Sequence, residues 1–167
     1  QVQAFDTRTL ARTRRRFANS ARVAARLKHY NGLDATPLHH PPPDADAYYC
    51  AETWPYVFVP SRLERLKRQD LAIEAARHLR SPVVFMLAGT GGQTETYRQM
   101  IERAGVGDRV RLIGEISDAE KRAWYAHALG VFFGPFDEDY GYVTLEAMLA
   151  RKPVITCTDS GGPLEFV

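Results

Sequence analysis

From Tyr56 onward the sequence alternates short apolar runs with helix-like stretches, and this alternation constrains the fold more than any other feature. The runs Tyr56–Pro60, Val83–Ala88, Val110–Ile113, Val131–Phe133 and Pro153–Thr156 begin 27, 27, 21 and 22 residues apart. Helical patterns lie between them at Gln69–Leu79, Thr94–Ala104, Ser117–Ala128 and Val143–Ala150. Such intervals fit a helical crossover, so successive strands are predicted to run parallel. Val83-Val84-Phe85-Met86-Leu87-Ala88 is apolar throughout, as a strand covered on both faces requires. Ser117-Asp118-Ala119-Glu120 has the spacing of a capping box, in which Ser and Glu satisfy each other's end amides. The predicted fold class is α/β, an open doubly wound parallel sheet of at least five strands.

Residues 1–50 read differently, as an interdomain or linker segment ahead of a core that begins near Pro55. Ser20 is placed to cap a helix carrying Val23 and Leu27 at i, i+4, and Asn31-Gly32 should stop it. His39-His40-Pro41-Pro42-Pro43-Asp44 follows and can be neither helix nor central strand. The chain opens at Gln1 with no basic-then-apolar leader, and is read as a piece of a longer protein.

Composition removes several function classes. No apolar run approaches the roughly 20 residues of a membrane span. The two cysteines, Cys50 and Cys157, are too far apart for a disulfide framework or a zinc module, which makes a reducing compartment the default. The formal charge of +2 hides a split: residues 1–30 hold eight Arg and Lys against Asp6 alone, while the remainder has 14 basic and 19 acidic residues. A basic block of this kind suits nucleic acid, an anionic membrane or an acidic neighbouring domain. Only Phe5, Phe17 and Tyr30 accompany it, which is thin for nucleic-acid readout, and no nucleic-acid partner is expected.

In an open α/β sheet, ligands sit outside the carboxyl ends of the strands. The residues just past the five runs are Ser61-Arg62, Gly89-Thr90-Gly91-Gly92, Gly114-Glu115, Gly134–Glu138 and Cys157–Gly162. The glycine-rich turn after the second run is neither a full dinucleotide fingerprint nor a P-loop, and on its own reads as a tight strand-to-helix turn before it reads as a phosphate contact. Arg62 and Lys67 could clamp a diphosphate, although spacing alone favours a solvated basic face shared with Arg65 and Arg68. Glu138, in a loop, and Glu146, in the next helix, flank the amides at that helix start. Amides bind phosphate and carboxylates accept from sugar hydroxyls, the layout for a nucleotide sugar. Asp137-Glu138-Asp139 and Asp44-Ala45-Asp46 match an Asp-x-Asp cation pattern, but nearby Arg and Lys offer a metal-free alternative, and no metal is expected. His39 and His40 read as a turn rather than a ligand pair. Paired carboxylates would also suit a glycosidase, which has no use for phosphate-binding turns.

Three blocks together resemble the C-terminal domain of GT-B-fold retaining glycosyltransferases of glycosyltransferase family 4, the glycosyl transferases group 1 domain. They are Val57–Leu63 with Lys67–Ala75, Phe85–Gly91 with Val110–Gly114, and Glu138–Met148 running on to Lys152–Ile155 and Ser160–Glu165. The third is the most specific. The resemblance spans roughly Ala18 to Val167 and divides the chain into the linker, 1–50, and a nucleotide-sugar-binding domain, 51–167, cut short at its C-terminal end. It implies that Arg62 and Lys67 hold the diphosphate, Glu138 touches the donor sugar and Glu146 the ribose. Amides near Gly141, Tyr142 and Val143 would meet phosphate oxygens, and backbone around Gly114, Glu115 and Ile116 the base. Gly89, Gly91 and Tyr140 complete the implied donor site. Two departures stand out: Ser61 where the family often has Gly, and Asp139-Tyr140-Gly141 where it often has Gly-Phe-Gly. Asp139 is expected to add negative charge near the phosphates, and Tyr140 to narrow donor choice.

The resemblance further implies transfer of a hexose from a nucleoside-diphosphate sugar to a polysaccharide or lipid-linked acceptor, with no bound cofactor. The acceptor side would lie on an N-terminal domain that is missing here, leaving the fragment inactive alone. The basic segment would cross between domains or face an anionic acceptor. The setting implied is cytoplasmic, at the inner face of a membrane where the acceptor is lipid-linked. Two other functions remain open: a GT-B nucleotide-sugar epimerase, and a non-catalytic nucleotide-binding or scaffold domain.

Overall fold

The computed structural model describes residues 2–167. Ahead of the main sheet lie helix α1 (Val2–Ala11), strand β1 (Phe17–Ala18), helix α2 (Ala21–Asn31) and strand β2 (Thr36–Pro37), with β1 and β2 paired in parallel. The core follows as β3 (Tyr56–Pro60), α3 (Asp70–Ala76), β4 (Val84–Ala88), α4 (Thr94–Ala104), β5 (Val110–Gly114), α5 (Asp118–His127), β6 (Gly130–Phe132), α6 (Tyr142–Leu149) and β7 (Val154–Ile155).

The five core strands are all parallel, in the order β5-β4-β3-β6-β7. The first core strand is therefore central, and the chain reverses its direction of travel across the sheet after β5. This is the doubly wound order in which a crevice opens between the first and fourth strands. Every residue of β3 is buried. Its side chains alternate between two layers: Val57 and Val59 pack with Ile73, Leu87 and Tyr97, and Tyr56 and Phe58 with Tyr125, Val131 and Ala147. No helix among the described residues is long and apolar enough to cross a membrane.

Local signals account for most boundaries. The Ser117–Glu120 capping box forms, with Glu120 Oε2 accepting from the Ser117 amide at 2.8 Å. Ser20 caps α2 by accepting from the Val23 amide at 3.0 Å, and Gly32 ends it in the left-handed conformation. The pattern expected to be helical through Leu79 is α-helical only to Ala76. Beyond it Arg77, His78 and Leu79 donate to the carbonyls three residues back, a tighter turn that ends the helix. Helix α1 lay outside the sequence pattern because it buries no residue fully: Val2 and Phe5 face solvent and Leu10 is half-buried.

Helix α2 is fastened to the far end of the chain. The Glu165 carboxylate accepts from the Ala21 and Arg22 amides at 3.0 and 2.9 Å and meets His39 Nε2 at 2.7 Å. Burial raises the Glu165 pKa, but the two amides and His39 outweigh it, so the net shift is downward. A depressed folded-state pKa contributes stability above the ordinary glutamate value of about 4.3 that is lost as pH falls through the folded value. Glu165→Gln should therefore flatten the acid limb of the stability profile below that point and speed amide exchange at Ala21 and Arg22. Both are read by hydrogen exchange across an acid titration.

Candidate functional site

Three turns meet where β3, β4 and β5 end. Ser61 donates its amide to Ala88, Leu63 to Thr90, and Gly89 to Gly114, at 3.1, 2.9 and 2.7 Å. The turns pack so closely that a Cβ on Gly89 would lie 2.2 Å from the Ser61 carbonyl oxygen. Gly91 lies against the Leu63 backbone in the same way, and it lines neither recess described below.

Two recesses flank Arg62, which lines both. The first, of about 370 Å³, collects Gly89, Glu115, Ile116, Tyr142, Val143 and Glu146 around Arg62. Its volume is that of a small-ligand pocket. No side chain caps the N-terminus of α6 beside it, so end amides there are left for another partner. Glu146 is 8% exposed. Its Oε2 accepts from the Tyr125 hydroxyl at 2.7 Å and its Oε1 from Lys121 Nζ at 3.2 Å. Burial and then the neighbouring carboxylate hold the Tyr125 hydroxyl far above its ordinary pKa, which keeps it a donor. Lys121 and Tyr125 sit four residues apart on α5, hence on one face. That spacing was visible in the sequence, but nothing there aimed it at Glu146.

The second recess, of about 540 Å³, holds Arg62, Lys67 and Glu138 with Arg26. Lys67 Nζ donates to Glu138 and lies 5.7 Å from the centre of the Phe133 ring. Arg68 is a structural fork: it donates to the Gly134 and Pro135 carbonyls at 2.8 and 3.1 Å and grips Asp159 with two nitrogens. The four cations after β3 thus separate. Lys67 and Arg68 are engaged, Arg65 is exposed, and Arg62 has no ion-pair partner among the described residues.

Asp137 and Asp139 face arginines of the leading segment: Arg22 pairs with Asp137 and Arg26 with Asp139. The hydrogen bond from Arg22 is the largest reason that the Asp137 pKa falls below the usual aspartate range. The negative charge expected from Asp139 near the phosphate-binding turns is answered by Arg26. These two arginines were hidden inside the basic block when only the sequence was read.

Tyr140 does not enter either recess. It is buried, accepts from the His40 amide at 2.8 Å, donates to the His40 carbonyl at 2.5 Å and stacks on the His40 ring. The expected narrowing of donor choice by its larger ring finds no support in this placement. Tyr142 does line the first recess, and its hydroxyl meets His40 Nδ1 at 2.9 Å. Gly114 lines neither recess; its carbonyl accepts from the amide of Gly89, which lines the first.

Sheet order, flanking helices and the placement of these turns define the Rossmann-like half of a GT-B glycosyltransferase. The chain belongs to the family described as glycosyl transferases group 1, whose model matches residues 48–167. Among curated relatives it is similar to the human alpha-1,3/1,6-mannosyltransferase ALG2, with 31% identity over 123 residues, covering 64% of this chain and 29% of the relative. It is also similar to D-inositol 3-phosphate glycosyltransferase of Corynebacterium glutamicum, with 33% identity over 112 residues, covering 62% of this chain and 27% of the relative. The chain therefore spans less than a third of the curated relatives it matches. Among solved structures, Anabaena Alr3699/HepE in complex with UDP and glucose superposes with a TM-score of 0.79 at 24% identity, covering 90% of this chain and 46% of that one. TarM gives 0.79 at 22% identity, covering 99% and 34%. At these identities the structural likeness speaks for the fold.

Proposed function

We propose that this chain is the donor-binding domain of a retaining, metal-independent glycosyltransferase that moves a hexose from a nucleoside-diphosphate sugar to an acceptor. The observation that carries this reading is Arg62 standing between two recesses of different chemistry. On one side are the Glu146 carboxylate, the uncapped start of α6 and the Glu115–Ile116 backbone. On the other are Lys67 and Glu138. A nucleotide sugar has the same sequence of groups: base and ribose, then diphosphate, then sugar. Glu146 would accept from ribose hydroxyls, Arg62, Lys67 and the α6 amides would hold the diphosphate, and Glu138 would accept from the sugar. As the glycosidic bond to phosphate breaks, charge grows on the leaving diphosphate, and fixed cations there stabilise it more than the ground state. Solved relatives of the same fold bind UDP and UDP-glucose, which supports the choice of donor class.

The acceptor, of polysaccharide or lipid-linked type, would meet a second domain. Arg8, Arg12, Arg14 and Arg15 make no ion pair with any described residue and are available to face that domain or an anionic acceptor at the inner face of a membrane. Calorimetric titration with UDP-glucose, UDP-N-acetylglucosamine, GDP-mannose, UDP and GDP tests the donor reading. At least one pair should bind equally well in magnesium and in EDTA, and binding that vanishes in EDTA overturns the metal-free assignment. Glu146→Gln should weaken the preferred nucleotide about tenfold, the order expected for one charge-assisted hydrogen bond. It should weaken the corresponding 2′,3′-dideoxynucleotide little. The chain alone should transfer no sugar. Retention is tested on the full-length enzyme by proton NMR of the product anomer.

A further inference from the structure

The acidic triplet Asp137-Glu138-Asp139 is gripped from two sides. Its backbone is held by the turn after β7: Asp137 donates to Asp159 at 3.0 Å, Glu138 to Ser160 at 2.9 Å, and Gly162 donates back to Glu138 at 2.8 Å. Its side chains part in alternate directions. Glu138 turns to Lys67, while Asp137 and Asp139 turn to Arg22 and Arg26. Arg22 and Arg26 are four apart on α2 and so share a face, matched in spacing to two carboxylates that are two apart in the loop. Arg26 also donates to the Asp137 carbonyl at 3.4 Å, which ties both ends of the triplet to one guanidinium. The Glu165 contacts hold the start of α2 in place and so fix both arginines relative to the sheet.

We propose that Arg22 and Arg26 are positioning residues for the sugar end of the donor. They set the direction of Glu138 by holding the residues on either side of it, and so govern how the site distinguishes a sugar nucleotide from the bare nucleotide. This rests on the donor-binding reading above. Alternation along the loop makes the effect specific: with Asp137 and Asp139 released, Glu138 keeps only Lys67 and the turn after β7 and loses the bracing on either side, while Arg62, Glu146 and the α6 amides keep their places. The departure from the family's usual glycine at Asp139 then has a function, because glycine offers Arg26 nothing to grip.

The test compares affinities of UDP-glucose with UDP, and of GDP-mannose with GDP, by calorimetry on the whole chain. In Arg22→Ala/Arg26→Ala the ratio of sugar-nucleotide to nucleotide affinity should fall at least fivefold. Arg26→Asp alone should lower the ratio similarly, and Arg26→Asp/Asp139→Arg should bring it back to within twofold. An unchanged ratio, parallel losses for both ligands, or no recovery in the charge swap overturns the inference while the donor reading stands. Should the double alanine variant fail to fold, Arg26→Gln carries the same readout. If the wild-type chain binds none of the four ligands, the donor reading falls and takes this inference with it.

Discussion

Removing both Arg62 and Lys67 as alanine should weaken nucleoside-diphosphate binding by more than a hundredfold, the largest loss expected of any pair of side chains in the chain. Hydrogen bonds to charged groups contribute about 1.5–3 kcal/mol each, or roughly ten- to a hundredfold in affinity. The two losses should differ in kind. Arg62 has no carboxylate partner among the described residues, so Arg62→Ala removes only what it gives to the ligand. Lys67 is paired with Glu138, and Lys67→Ala leaves that carboxylate uncompensated beside the bound phosphates. Lys67→Ala/Glu138→Ala should therefore recover part of the nucleotide affinity lost in Lys67→Ala, while sugar-nucleotide affinity stays low. A double-mutant cycle read by calorimetry measures that coupling. Additive losses would show that Lys67 and Glu138 act independently on the donor.

The second large effect belongs to a residue with no side chain. A Cβ on Gly162 would lie 2.4 Å from the Asp139 carbonyl oxygen and 2.7 Å from its carbon, both main-chain atoms that no rotamer change can move. Gly162→Ala must displace the 137–139 loop or the turn beneath it. Such overpacking costs typically about 1–3 kcal/mol, and for a domain of this size each kcal/mol lowers the melting temperature by roughly 2–4 °C. Binding should suffer more than folding, because a shift of about 1 Å in a positioning group can cost on the order of a hundredfold. A melting temperature about 2–12 °C lower with donor-sugar recognition lost is the expected result. Gly107→Ala serves as the control: a Cβ there meets nothing within 4 Å, and the variant should match wild type in melting and in titration.

The sheet was legible in the sequence because its strands are covered on both faces, so that local apolarity marks them, and because the Ser117 and Ser20 caps are spelled in four residues. Strand order was not legible: nothing near Tyr56 says that its two neighbours will be β4, next in sequence, and β6, some 70 residues on. The same limit governs the site. Arg62, Lys67, Glu138 and Glu146 could be picked out by residue type, position after strands and family resemblance. Their companions could not, since Glu146 meets Lys121 and Tyr125 from another helix, 25 and 21 residues away. Arg22 and Arg26 lie 115 and 113 residues from the carboxylates they engage. Among so many arginines, nothing local distinguishes those two. Tyr140 shows the converse, a residue with the right neighbours in sequence whose side chain folds to the other side of its own loop.

The bond between Glu165 and the start of α2 joins positions 144 and 143 residues apart. Contacts so distant along the chain close late, after the nearer pairings of β3, β4 and β5 have reduced the conformational space to be searched. On the ribosome, α2 is among the first elements to emerge, yet its arginines meet Asp137 and Asp139 only after more than a hundred further residues, and its first turn meets Glu165 later still. A nascent chain arrested before Glu165 would carry most of the sheet, with Arg62 and Lys67 in it. It would still lack the carboxylate that holds the first turn of α2, so the sugar half of the site takes its final bracing after the nucleotide half.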